Sequence, residues 1–455
     1  MNWLLAHLAF VVVTALSLVA TGSLLRGRRS SQATLAWLLA IVLVPYVGLP
    51  LYLALGARKE GRRPAVPFPD FPDGEAVSLA EVTPTDRLLR RCGLPGASDG
   101  NVVTLLGTGG GAYTGLMDLV EGAERSVWVE LFIVGDDDEG RALLDALARR
   151  AAEGLDVRLL LDAVGSRPLP KARHAALRAA GGHVAYFEPV LHQPFRGRSN
   201  LRDHRKIVLA DEHRAWAGGM NVAHEYLGPT PDAARWRDLA FRLDGPAVAT
   251  YAALFRSDWS FASHAALPPE ASVPAAAGGA RVQVVPSGPD VAEDALFDLV
   301  LSLAYAAHER LWMVTPYFVP DEALERALAV AARRGVDVRL VVPDPSNHRL
   351  ADLARGPSLR ELDAAGVRVL RHTGGMVHAK ALVSDGTALV GSANLDLRSL
   401  FLNAEAALVL YGAPEAGAVA DWIERLGAAS AAGVVEAGAG RQLVEGAARL
   451  VGPLL

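Results

Sequence analysis

Histidine, lysine and aspartate recur at one fixed spacing, His-x-Lys-x-x-x-x-Asp, at two distant places: His204, Lys206 and Asp211, then His378, Lys380 and Asp385. Of the 45 basic residues only four are lysine (Lys59, Lys171, Lys206 and Lys380), so half of the lysines fall inside this pattern. One chance match is expected on the order of 0.01 times at this composition, so a pair is not accidental. A chain that otherwise uses arginine keeps a compact ammonium at these two positions. On an extended strand, residues two apart share a face, so each motif presents an imidazole beside an ammonium. That pair suits phosphate chemistry, with a ring nitrogen to attack or carry a proton and a cation to hold anionic oxygens.

The downstream text repeats as well. Gly218, Gly219 and Asn221 answer Gly391, Ser392 and Asn394 once one extra residue is allowed in the first copy. Small residues beside an amide donor can approach phosphate oxygens closely, which makes Asn221, Ser392 and Asn394 the phosphate-binding candidates. Asp238 and Glu405 stand at equivalent places before an apolar stretch. Either could accept a hydrogen bond from the imidazole of its own copy, fixing its tautomer and raising its basicity. Asp211 and Asp385 complete the motif, but five residues beyond the lysine they point to the opposite face of a continuous strand. A structural role is expected for both.

The elements that must position these groups are duplicated too. RSVWVELFIV from Arg125 resembles RLWMVTPYFV from Arg310, and ALARRAAEGLDVRLLLD resembles ALAVAARRGVDVRLVVPD. Each half reads as helix, apolar strand, helix, apolar strand, further helix, then motif strand. Helical periodicity runs through 142–152 and 324–334, and β-branched runs at 157–161 and 336–342 read as buried strands. The fold class is α/β, with two α/β/α sandwich domains over 101–265 and 280–430 related by a pseudo-twofold axis, and a helical tail over 431–455. The two motifs could then face each other.

Before the first domain lie two apolar runs, 3–25 and 33–55, separated by Arg26, Arg28 and Arg29. Each is long enough to span a bilayer, so residues 1–63 read as a two-helix transmembrane hairpin. Pro45 and Pro50 suggest a kink in the second run or an incomplete crossing. Arg58, Lys59, Arg62 and Arg63 outnumber the three loop arginines, which tips the catalytic body toward the cytoplasmic side. The Pro-rich stretch 64–100, with Pro64, Pro67, Pro69 and Pro72, reads as a linker.

Hydrophobic content of 51% and a mean hydropathy of +0.22 agree with membrane contact. A net charge of −5 provides no global basic field for nucleic acid. The single cysteine, Cys92, excludes a disulfide framework. His192, His204, His213 and His224 lack the i, i+4 pair of a helical zinc site, so no metal is expected.

With these residues in place the chain resembles the phospholipase D superfamily, whose signature is this motif in duplicate, and within it the bacterial cardiolipin synthase branch. The resemblance rests on VPYVGLPLYLALG, LRDHRKIVLAD, GGMNVAHEYLG, TPYFVPDEAL, VHAKALVSD, GSANLDLRSLFLNAE and the terminal ARLVGPLL, and covers nearly the whole chain. The chain departs from the family's usual text at Asp211-Glu212, where Asp-Gly is usual, at Asn403-Ala404-Glu405, where Asn-Phe-Glu is usual, and over 343–374.

The resemblance implies a membrane phosphatidyltransferase that needs no cofactor and no metal. It joins two phosphatidylglycerol molecules into cardiolipin and glycerol through a phosphatidyl-histidine, in a cell membrane, with phospholipid and bilayer as partners. His204 is expected as nucleophile and His378 as acid and base, with Lys206, Lys380, Asn221, Ser392 and Asn394 holding the phosphate. Phe187, Phe195, Tyr317 and Phe318 could line an acyl-chain entry, with core packing the plainer role for most of them. The alternatives are a hydrolase releasing phosphatidic acid, a nuclease, and a non-catalytic lipid-binding scaffold; the acidic balance and lipid anchor disfavour the nuclease.

Overall fold

A computed structural model describes residues 2–26, 31–56, 68, 82–167, 169–187, 200–267, 273–291 and 293–450. Arg28, Arg29, Arg58, Lys59, Arg62, Arg63, His192, Phe195 and Pro64, Pro67, Pro69 and Pro72, which the sequence reading used, lie outside the described residues.

The N-terminal region forms α1 (Asn2–Arg26), α2 (Ser31–Leu43) and α3 (Pro45–Leu55). The expected second span is therefore two short helices. Pro45 has no N–H to continue α2 but suits the first turn of α3, where that donor would be unpaired in any case. Ala20, Leu24, Ile41, Leu49 and Tyr52 pack inward, whereas Trp3, Leu18, Val19, Val42 and Leu43 face outward, at 74%, 70%, 69%, 68% and 71% exposure. No helix among the described residues is long and apolar enough to cross a membrane.

The linker expected over 64–100 is shorter than read, because residues 82–100 are folded. Thr83 accepts from the N–H of Asp86, Pro84 occupies the first turn and Arg90 and Arg91 the last, giving α4 (Pro84–Arg91) both end signals. Buried Asp86 then accepts from Ala97 N and from the Gln283 side chain, fastening α4 to the second half of the chain.

The first copy contains β1 (Ser98–Leu106), α5 (Gly109–Glu121), β2 (Ser126–Leu131), α6 (Asp138–Ala152), β3 (Asp156–Asp162), α7 (Ala175–Ala179), β4 (His183–Phe187), β5 (Lys206–Ala210), β6 (Arg214–Gly218), β7 (Ala240–Asp244) and α8 (Val248–Ser263). The second contains β8 (Ala280–Ser287), α9 (Ala295–Ala306), β9 (Arg310–Val314), β10 (Phe318–Val319), α10 (Glu322–Arg333), β11 (Asp337–Pro343), α11 (Arg349–Ala364), β12 (Arg368–His372), β13 (Ala381–Ser384), β14 (Thr387–Gly391), β15 (Leu395–Asp396), α12 (Leu397–Phe401), β16 (Glu405–Tyr411) and α13 (Ala413–Ala428). The chain closes with β17 (Ala431–Ala432) and α14 (Ala439–Leu450).

The sheet order β1-β7-β6-β5-β2-β3-β4 in the first copy answers β8-β16-β14-β13-β9-β11-β12 in the second, and antiparallel pairing of β1 with β8 joins them into one 15-stranded sheet. The two halves are thus related as a duplication, and the sequence reading missed β4 and β12, one strand before each motif. Local causes recur with the topology. Asp137 caps α6 and Asp321 caps α10; both helices start with acidic residues and end on arginine, as the helix dipole favours. On one face of the sheet α8 and α13 share a core with both copies; on the other face α5 and α6 cover the first copy and α9, α10 and α11 the second. Phe187 and Phe318 are fully buried in these cores and line no entry.

Candidate active site

Both motifs enter the sheet from irregular backbone. Lys206 opens β5 and Lys380 directly precedes β13, while each histidine lies two residues earlier, outside the strand. Neither His-x-Lys pair is therefore carried on a continuous strand. The lead-in segments are held by the opposite copy: His204 N donates to Ala404 O at 2.9 Å and Ala404 N to Arg202 O at 2.8 Å, while His378 N donates to Arg237 O and Arg237 N to Met376 O, both at 2.8 Å. Two short parallel bridges, Asp203 with Ala404 and Arg237 with Val377, result.

These bridges bring each carboxylate to the other copy's imidazole. His204 Nδ1 lies 2.9 and 3.0 Å from the two Glu405 oxygens, and His378 Nδ1 lies 2.7 Å from Asp238 Oδ2. Own-copy pairing, as expected from the sequence, is thus replaced by exchange between copies. All four groups are buried, with His204 8% and His378 4% exposed. A carboxylate at Nδ1 favours the tautomer protonated there and leaves the lone pair on Nε2, which in His378 meets the Lys380 ammonium.

The ammonium groups sit inside the same enclosure. Lys206 Nζ donates to His204 O at 2.7 Å and lies 5.3 Å over the Phe132 ring. Lys380 Nζ donates to His378 O and lies against the His378 ring, 2.6 Å from Nδ1 and 3.0 Å from Nε2. Phe132 packs edge-on to His204 at 4.8 Å and Tyr226 edge-on to His378 at 5.0 Å, with Trp236 at 5.6 Å. Sequence reading named none of these aromatics; Phe132 and Tyr226 lie within the quoted repeats, which was the available signal.

Burial, followed by the charges of Lys206, Lys380 and Arg398, pushes His204 well below the usual imidazole range. Burial and the Lys380 charge take His378 down to about 3. Burial pulls Lys206 to about 7 and Lys380 to about 8. The two carboxylates differ. Burial pushes Glu405 up to about 7, whereas for Asp238 the opposing charges of Lys380 and His378 outweigh burial and hold it below its ordinary value. His378 therefore faces a carboxylate held ionised, and His204 one poised near neutrality.

Ser392 is not free for phosphate, because its hydroxyl donates to Glu405 Oε2 at 2.5 Å and accepts from Ala406 N at 3.0 Å. Asn221 Oδ1 accepts from Ile133 N at 3.2 Å, and Asn221 also hydrogen-bonds the Tyr226 phenol, so it too is engaged within the chain. Asn394 is engaged as well, its side chain hydrogen-bonding the Asp396 carboxylate, and the Oδ1 it leaves without a partner is an acceptor, as phosphate oxygens are. Gly219 is small for a reason other than phosphate, since a Cβ there would lie 2.3 Å from Asp238 Oδ1 and 3.2 Å from Lys380 Cδ. Gly391 likewise would meet Ala406 O at 2.6 Å. Gly219 thus lets Lys380 of the other copy approach, and Gly391 lets β14 lie against β16 within its own copy.

Asp211 and Asp385 lie apart from the imidazoles, each in the left-handed region at φ 57° and 49°. Asp211 accepts from the backbone N–H groups of Glu124, Arg125 and Ser126, and Asp385 from those of His308, Glu309 and Arg310. Each ties the end of the motif strand to the start of its neighbour. Glu212 also adopts positive φ, 63°, where glycine fits more easily; its carboxylate instead pairs with Arg256, which is only 6% exposed.

Next to His204 in the chain, Asp203 joins a buried acidic group that no motif marks. Among the described residues Glu130, Asp203 and Asp258 cluster closely enough to hold a cation. The Arg205 guanidinium already answers them. It bonds Asp258, Asp290 Oδ2 at 2.8 Å, Ser287 O at 3.4 Å and Glu405 O at 3.2 Å. Burial and like charge push Glu130 well up and Asp203 to about 7, so part of the cluster is kept neutral.

Comparison with known proteins gives the following. The family model described as "Cardiolipin synthase, PLD-like domain" matches residues 116–259 and 300–427, and one described as "Phospholipase_D-nuclease N-terminal" matches 15–56. Cardiolipin synthase A of Pseudomonas aeruginosa is 37% identical over 415 residues, which is 87% of this chain and 84% of the relative. Cardiolipin synthase A of Pseudomonas entomophila is 34% identical over 415 residues, 88% of this chain and 86% of the relative. Among solved structures, the phosphatidylserine synthase of Haemophilus influenzae superposes with a TM-score of 0.62 at 16% identity, covering 82% of this chain and all of that one. That last likeness concerns the fold.

Proposed function

The chain belongs to the cardiolipin synthase family of PLD-like proteins, and from that premise we propose that it transfers a phosphatidyl group from one phosphatidylglycerol to another, giving cardiolipin and glycerol. The observation that carries this reading is the pairing of two buried imidazoles, one from each copy, with unlike carboxylates.

His204 Nε2 attacks the phosphodiester phosphorus; the P–O bond to glycerol breaks, and the departing oxygen takes the proton from His378. The phosphatidyl group is then on His204 and His378 is neutral. His378 next removes the proton from the terminal hydroxyl of a second phosphatidylglycerol, whose oxygen attacks phosphorus and displaces His204. Assigning the acid role to His378 follows from Asp238, which is held ionised and stabilises an imidazolium. The low affinity of His378 for a proton stems from burial and from Lys380. An arriving phosphodiester offsets that ammonium charge and raises the proton affinity when the acid is needed. Lys206 and Lys380 stabilise the phosphate oxygens where charge concentrates.

The outward apolar side chains of α1 to α3, with the N-terminal match over 15–56, support an N-terminal membrane anchor formed by the two apolar runs. Four basic residues after the second run against three in the loop favour a cytoplasmic catalytic body. Anchoring raises the effective concentration of two substrates that are themselves confined to a bilayer. Purified protein supplied with phosphatidylglycerol vesicles is expected to yield cardiolipin and glycerol in equal amounts by mass spectrometry. Phosphatidic acid without cardiolipin would replace the transferase reading by a hydrolase.

A further inference from the structure

Helix α14 is built inside out. Its buried positions are Glu445 and Ala448, and its charged side chains turn to the body: Glu445 pairs with Arg360 and, at 2.8 Å, with Arg441, while Arg449 reaches Glu325 at 3.0 Å. Leu443, Val444 and Leu450 face out, at 77%, 53% and 84% exposure. At 100° per residue Leu443 and Leu450 lie within about 20° of each other and roughly opposite the Glu445–Ala448 line. A helix that only met water would carry the reverse arrangement.

The position of α14 matters as much as its polarity. It rests on α11, where Ala448 packs with Ala354 and Val319, a residue of β10. Strand β10 pairs with β15, which follows Asn394 directly. Tyr317, just before β10, bonds Asn347 at 2.7 Å, just before α11. The apolar face is thus mounted on the wall of the candidate active site.

We propose that α14 docks on a lipid bilayer, laying Leu443, Val444 and Leu450 into its interface and turning the adjoining site toward lipid. Two features select a bilayer over a protein partner. The outward side chains offer on the order of a few hundred Å² of apolar surface, below the roughly 800 Å² per partner of a stable protein interface. The outward side chains of α1 to α3 also call for an apolar medium on the same molecule. Dependence on the function proposed above is limited to which lipid is presented.

The test uses the full chain with Cys92, its one cysteine, changed to Ser and a single new cysteine carrying an environment-sensitive fluorophore. Leu443→Cys and Leu450→Cys are the test sites, and Asp138→Cys, at 97% exposure in the first copy, is the control. In vesicles of phosphatidylcholine and phosphatidylglycerol, brominated acyl chains are expected to quench positions 443 and 450 at least twofold and to leave 138 unchanged. Absence of quenching overturns the proposal. So does emission that tracks protein concentration, the sign of a second copy, or emission already shifted in detergent and indifferent to lipid, the sign of cover by the chain itself. In a second arm, Leu443→Asp with Leu450→Asp should lower turnover of vesicle phosphatidylglycerol about tenfold while sparing a dispersed short-chain substrate; equal loss on both contradicts docking. If wild type makes no cardiolipin yet the quenching holds, docking stands and the catalytic reading alone falls.

Discussion

Replacing Asp238 by Asn tests the exchange of carboxylates between copies. The side chain keeps its size, so the close contact with Gly219 survives and only the charge is lost. Asp238 Oδ2 lies 2.7 Å from His378 Nδ1 in an enclosure where both residues are buried. A hydrogen bond to a charged group contributes about 1.5–3 kcal/mol, and Coulomb attraction at about 4 Å with an effective dielectric of 20 contributes about 4 kcal/mol. Loss of roughly 2–4 kcal/mol of support for the imidazolium corresponds to about a 30- to 1,000-fold fall in kcat/KM. Glu405→Gln behaves differently, because Glu405 is pushed up to about 7 and is largely neutral below that pH. Its penalty should be small near pH 6 and grow as pH rises above 7. Cardiolipin formation followed by mass spectrometry between pH 6 and 8.5 measures both. In parallel, the downfield Nδ1 proton of 15N-labelled histidine reports the partner: Asp238→Ala should remove the His378 signal and Glu405→Ala that of His204. Activity of Asp238→Asn within threefold of wild type, or loss of the His204 signal in Asp238→Ala, would refute the reasoning.

Three further outcomes follow from the same geometry. With Lys206 drawn down to about 7 and Lys380 to about 8, both lose their charge as pH rises, so kcat/KM for an anionic lipid should fall through pH 7–8; Lys380→Arg, which does not titrate, should remove the step near 8 and leave the Lys206 step near 7, while lowering the optimum rate about tenfold or more. Asp211→Ala should lower stability by about 2–4 kcal/mol in chemical denaturation while folded protein keeps turnover within about threefold, since the carboxylate holds three backbone N–H groups and no imidazole. Those bonds hold Asp211 below its ordinary 3.8, so their contribution is present above that pH and is lost as pH falls through the depressed value; the variant should lose less stability on acidification. Arg205→Met leaves Asp258 and Asp290 without their guanidinium and should destabilise by about 3–5 kcal/mol, measured by thermal unfolding.

The duplication was legible because periodicity and repeated text are local properties: α6 and α10, and β3 and β11, could be read one segment at a time. How the copies dock was not legible. Asp238 and Glu405 were identified as the partners of the histidines, but nothing in either half states which imidazole each will meet; that is settled by the bridges of Arg237 with Val377 and Asp203 with Ala404. Ser392 illustrates the same gap. Its position in the repeat matched the phosphate-binding pattern, yet a carboxylate from β16 lies 2.5 Å away and accepts its hydrogen bond. Arg205 looked like an arbitrary residue between histidine and lysine until folding placed Asp258, Asp290 and Glu405 O around it. Proline chemistry broke the second apolar run at Pro45, and capping by Thr83 folded part of the presumed linker.

The central claim is that the two histidines form one site in which His204 takes the phosphatidyl group and His378 supplies the proton. A phosphatidyl ester of p-nitrophenol separates these roles, because its leaving group needs no acid. With His378→Ala, rapid-quench mass spectrometry and absorbance should show about one equivalent of p-nitrophenolate and a phosphatidyl adduct on His204, and His204→Ala should give neither. A burst from His204→Ala with the adduct on His378, or no adduct in any variant, would contradict the account.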